Sequence, residues 1–144
     1  MWLRVSTVTL IVVLLYGGGV HVYQLAVDGW PPYAWAPPWL AAYFTALTVL
    51  DPLAAILLWT RRPAGAYLAA AVLVTDALAN AYATYVLLEP EPLARIGQAV
   101  ITALAVVAIA TARTGHRRSA TARTGHRRSA TAPMSSADAD AEDT

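Results

Sequence analysis

The sequence predicts an all-α membrane protein: an antiparallel bundle of four transmembrane helices with a disordered C-terminal tail. Three observations lead there. The 144 residues are 58% hydrophobic and only 13% charged, with a mean hydropathy of +0.49. A soluble domain carries about 25% charged residues. The charges also collect at segment ends and in the tail, as insertion into lipid requires. Finally, four apolar stretches of roughly 20 residues or more follow one another, the length a helix needs to cross about 30 Å of hydrocarbon.

The first span covers about 3–27. Arg4 followed by VSTVTLIVVLLY has the charged and apolar regions of a secretory signal. The apolar run continues past Gly17-Gly18-Gly19 to Ala26, and no small-x-small cleavage site follows, so we read a retained helix. Next comes DGWPPYAWAPPW, residues 28–39, whose four prolines exclude a regular helix or strand. Its Trp30, Tyr33, Trp35 and Trp39 suit the membrane–water boundary, so this loop is expected to lie on the headgroups as a lid.

The second span covers about 38–60 and ends at Arg61-Arg62-Pro63. The third covers about 65–88 and is followed by the acidic turn EPEP. The fourth, about 93–112, is rich in Ala and Val. Connections this short dictate an up-down-up-down order. Small Ala and Gly faces also suit helix association, so a homo-oligomer is compatible with the sequence.

Charge sets the orientation. Arg4, Arg61, Arg62 and six tail arginines lie on one side, and Arg95 alone lies on the other with Asp28, Glu89 and Glu91. By the positive-inside rule both termini are cytoplasmic. Ten Arg beside no Lys, with abundant Ala, points to a GC-rich bacterial gene and so to an inner membrane. The net charge of +1 gives no nucleic-acid signal. The lack of cysteine excludes disulfides and thiolate chemistry.

The tail, 113–144, contains a tandem repeat: ATARTGHRRS at 110–119 and again at 120–129. It has almost no bulky apolar residues and is expected to be disordered. Its arginines would suit anionic lipid. His116 and His126 are too far apart along a flexible chain to make a metal site, and no cofactor or metal is implied anywhere.

The polar residues within the spans are the candidates for function. Gly17, His21, Gln24 and Asp28 share one face of the first helix. The second has Thr48 and Asp51, the acid standing directly before Pro52. Proline donates no N–H, which frees the Thr48 carbonyl to accept elsewhere. The third has Asp76 and Asn80 at i, i+4; the fourth has Arg95, Gln98 and Thr102. Each stripe is expected to face inward, since lipid cannot solvate it.

At about 1.5 Å per residue, Asp51 lies roughly 20 Å below the outer face and Asp76 roughly 18 Å above the inner one. They become neighbours in depth, and two carboxyls that close in low dielectric do not both ionise. His21 lies nearer the outer face, level with Asn80. Arg95 is placed to pair with Asp28, Glu89 or Glu91.

Around these residues the chain is similar to the EXPERA family, four-helix membrane proteins that bind or isomerise sterols. The similar features are Tyr16, His21 and Asp28, then Pro37-Pro38-Trp39, then an acid beside a proline in the second span. The resemblance covers about half of the chain and implies a sterol-like ligand. Asp76 and the shortage of other intramembrane charges depart from that pattern, so no catalytic residue is carried over. The chain also resembles the small uncharacterised four-helix membrane proteins of bacteria, which implies no activity.

The functional expectation is a non-enzymatic membrane component whose polar interior is structural or holds a small amphipathic or lipidic ligand. Its polar cluster is His21, Gln24, Asp51, Asp76, Asn80, Arg95 and Gln98, and its one certain partner class is the lipid bilayer. The alternative is a proton-coupled small transporter, or a membrane isomerase in which His21 works with Asp51 or Asp76 as acid and base. No nucleophile motif supports the enzyme reading.

Overall fold

The computed structural model is a four-helix bundle. It describes residues 2–29, 32–89 and 91–130, with side chains to residue 115. Helix α1 runs Trp2–Asp28, α2 Pro38–Trp59, α3 Pro63–Tyr82 and α4 Pro92–Ala130. A π-helical segment, Ala83–Leu87, carries α3 onward, and there is no strand among the described residues.

All four helices are long and apolar enough to cross a membrane, α3 together with its π segment and α4 through Gly115. Proline opens α2, α3 and α4. At the first helical position its missing N–H leaves no bond unmade, and its fixed φ already fits the helix. The residue before it is driven to extended backbone, as Pro37 and Arg62 both show.

Helix α4 continues past the expected span end at 112, so both decapeptide copies lie in helix. The reason is local: ATARTGHRRS is rich in the strong helix formers Ala and Arg and contains no proline. Of the expected disordered tail, residues 131–144 lie outside the described residues.

Each helix packs on its neighbours in sequence, and a thinner α1–α4 seam closes the ring. Leu10 and Leu14 of α1 and Leu40 and Leu47 of α2, at different depths of the bundle, are all fully buried. The seams toward α3 and α4 use smaller side chains: Ala54, Ala69, Ala105 and Ala108 are buried there. Lipid tails are as apolar as leucine, so such a bundle is held by close packing and internal hydrogen bonds.

The first two connections are built differently. Between α2 and α3 the chain turns in three residues. Arg61 N–H bonds Leu58 O at 3.0 Å and Arg62 N–H bonds Leu57 O at 2.9 Å. That is a Schellman closure, with Arg61 at φ +55 in the left-handed position usually given to glycine. Gly65 then lies directly on α2: a Cβ there would sit 2.6 Å from Leu57 C and Leu58 N.

Between α1 and α2 the chain takes the longer proline-rich path. A turn closes with Ala36 N–H on Tyr33 O at 2.8 Å, and Tyr33, at φ +55, points its side chain back into the bundle. We call this the loop end and the opposite one the turn end.

Candidate functional site

The polar cluster expected from sequence separates into three groups and one outlier. The first lies at the loop end. Tyr33 is 2% exposed. Its hydroxyl donates to Gln24 Oε1 at 3.1 Å and accepts from His21 Nδ1 at 3.0 Å. Since the hydroxyl proton goes to Gln24, the imidazole proton belongs on Nδ1.

Phe44 of α2 is the hub beneath. His21 stacks on it with ring centroids 5.8 Å apart, and Tyr33 tilts against it at 5.3 Å. Trp35 and Tyr43 flank the same ring. Each such contact adds about 0.5–1.5 kcal/mol beyond burial.

Tyr33 lies outside the spans. Its phenol is pushed above the usual tyrosine value, first by burial and then by the negative charge of Asp28.

Beside this aromatic group is a groove of about 620 Å³. Pro32, Tyr33, Ala34 and Ala36 wall it on the loop side, and Ala41, Ala42, Thr45 and Ala46 on α2. It exists because alanine leaves the α2 face short where the loop stands off. No charged side chain lines it, and the Thr45 hydroxyl is already bonded to Ala41 O at 2.8 Å.

The second group lies deeper. Asp51 is 5% exposed and faces the bare backbone of Gly17 and Gly18. It is within electrostatic reach of Asp76 on α3, as the sequence depths predicted. Asp76 Oδ1 accepts from Asn80 Nδ2 at 2.8 Å. The Tyr43 hydroxyl crosses from α2 to Thr75 Oγ1 at 2.8 Å. The Thr48 carbonyl freed by Pro52 accepts no side-chain bond among the described residues, and the Thr48 hydroxyl is spent on Thr45 O at 2.7 Å.

The third group joins α3 to α4. Gln98 Nε2 donates to Ala77 O at 2.9 Å and to Thr102 Oγ1 at 3.2 Å, while its buried Oε1 has no partner. The outlier is Arg95, which is exposed and forms no ion pair among the described residues. The α4 stripe thus turns inward only at Gln98, with Arg95 and Thr102 facing out. Thr102 needs no interior partner because its hydroxyl bonds Gln98 O at 2.8 Å.

His21 and the acids are therefore not brought together. Its partners are a hydroxyl, an amide and a phenyl ring. Tyr33, the residue that organises the loop end, was legible only as one more interfacial ring. Nothing in DGWPPYAWAPPW separates it from its tryptophans. Comparison with family models, with curated proteins and with solved structures found no match.

Proposed function

We propose that the protein is a multi-pass protein of a bacterial inner membrane, both termini cytoplasmic, that holds a small lipidic ligand at its outer, loop end. The groove between the loop and α2 carries this reading. It is large enough for an acyl chain or a compact ring system, and it is walled by proline and alanine. Such a lining recognises shape and apolarity and rewards a ligand with few polar atoms. The Tyr33 hydroxyl is committed to His21 and Gln24, which fixes the loop side of the groove.

The role is binding rather than turnover. A general acid–base pair needs two titrating groups within reach of one substrate, and His21 is held by Tyr33 and Gln24 instead. The arginine distribution supports the orientation: Arg61 and Arg62 are exposed at the turn end, on the side of Arg4.

The test uses the full chain in nanodiscs and a fatty acid brominated along its chain, which quenches nearby tryptophans. Trp35 stands beside the groove wall. Saturable quenching is expected in the native chain. It should be lost when Ala42→Leu and Ala46→Leu together fill the groove. Quenching that never saturates, or that saturates equally in the filled variant, refutes the groove as a site.

A further inference from the structure

Asp51 is a buried acid without a counter-charge. It is 5% exposed, and no side-chain hydrogen bond to its carboxyl is found among the described residues. On the α1 side it faces the backbone of Gly17 and Gly18. A Cβ on Gly17 would lie 2.9 Å from Asp51 Oδ2, and one on Gly18 would lie 3.3 Å from Asp51 Cβ and 3.1 Å from Pro52 Cδ. These two glycines make the room that the acid occupies.

The charged and titratable groups around it can be taken helix by helix. From α1, His21 is one turn above Gly17 and is bonded to Tyr33. From α2, Tyr43 spends its hydroxyl on Thr75, and Arg61 is exposed at the turn end. From α3, Asp76 adds a second acid and Arg62 lies outside the helix start. From α4, Arg95 is exposed at the far, loop end. Arg4 lies near the start of α1 and Arg113 is exposed on α4, so among the described residues no cation is placed to balance either acid.

A bare carboxylate in apolar surroundings is costly enough that the group is neutralised instead. Since the described residues supply no positive charge there, the neutralising species comes from solution. A metal cation wants six or more oxygens around it. The α1 wall of glycines offers no side-chain oxygen, and Asn80 already occupies one oxygen of Asp76. A proton needs only one lone pair.

We propose that Asp51 is a proton-binding site between α1, α2 and α3, and that Asp76, the second acid without a cation, is its positioning residue. This is independent of the groove: it concerns a different depth of the bundle and different residues.

A hydrophobic carbodiimide reads it directly in the full chain in nanodiscs. The reagent reacts with a protonated carboxyl. The acid proton passes to a carbodiimide nitrogen, the carboxyl oxygen bonds the central carbon, and acyl shift to nitrogen leaves a stable acylurea. The adduct is expected on Asp51 at pH 7, mapped by tandem mass spectrometry, and not on exposed Asp28, Glu89 or Glu91. Sodium chloride should not protect it. Asp76→Asn should reduce Asp51 labelling at least several-fold at the same pH, an effect that a merely structural Asp76 would not produce.

Labelling suppressed by sodium overturns the proposal in favour of a cation site, and labelling unchanged in Asp76→Asn overturns the role of Asp76. If no adduct forms, the infrared carbonyl band of a protonated carboxyl decides. Its loss in Asp51→Asn supports the proposal, and its absence from the native chain, or survival in that variant, overturns it. Should Asp51→Asn not fold, peptide mapping of the native chain and of Asp76→Asn still decides.

Discussion

The two ends of the bundle place a non-glycine residue in the same left-handed conformation for different reasons. At the turn end Arg61 has φ +55 because a Schellman closure requires it, and the side chain itself is exposed. At the loop end Tyr33 has φ +55 while its ring is buried and its hydroxyl makes two bonds. Left-handed backbone costs an L-residue roughly 1–2 kcal/mol. Tyr33 is repaid by its own contacts. Arg61 is not, and what it adds is a positive charge at the membrane edge. Strain alone therefore does not mark the end proposed to hold a ligand; strain offset by specific buried bonds does.

Three substitutions break or sharpen this contrast. The largest effect is expected at the turn end, from packing. Gly65→Ala sets a methyl 2.6 Å from α2 backbone, which has no side chain to swing aside. It should cost about 3 kcal/mol, at the upper end for overpacking. Unfolding in mixed detergent would measure it, and an unchanged midpoint would mean that α2 and α3 are not seated so closely.

Tyr33→Phe should come next, at about 1–2 kcal/mol, because it takes the hydroxyl that half-buried His21 and Gln24 both bond. It has a pH counterpart. The folded phenol holds its proton above the usual value, so its contribution is complete below about pH 10 and fades as pH rises through the folded value. Trp35 emission followed to high pH should show the loop opening in the native chain, with that component missing in Tyr33→Phe. The smallest effect is a gain. Arg61→Gly removes the left-handed penalty and should stabilise by about 1 kcal/mol. Equal behaviour of Tyr33→Gly and Arg61→Gly would erase the distinction between the two ends.

Much of the architecture was legible. The four spans follow from apolar run length, with α2 starting at Pro38 as expected, while α3 and α4 start at Pro63 and Pro92, slightly before the expected 65 and 93. Depth counting at a fixed rise brought Asp51 and Asp76 together, since rise per residue hardly varies along an α-helix.

What escaped was partner choice. The glycines of α1 announced a close approach without saying that Asp51-Pro52 fills it, because periodicity gives a face and not the neighbour across from it. Tyr33 depends on contacts made after its loop folds back, which no local pattern encodes. The π segment Ala83–Leu87 has no proline or glycine to signal it. The end of α4 was misjudged because low apolarity ends a span without ending a helix.

The ring of seams has a consequence for biosynthesis. The richest interfaces join α1 to α2 and α3 to α4, each between consecutive segments. Local pairings of this kind form quickly, since little chain has to be searched. The bundle is thus built as two helical hairpins, α1 with α2 and α3 with α4. Asp51 has its glycine cover from the first hairpin alone, before the ribosome has delivered Asp76. An acid that lipid would solvate poorly is thus covered by residues that precede it in the chain.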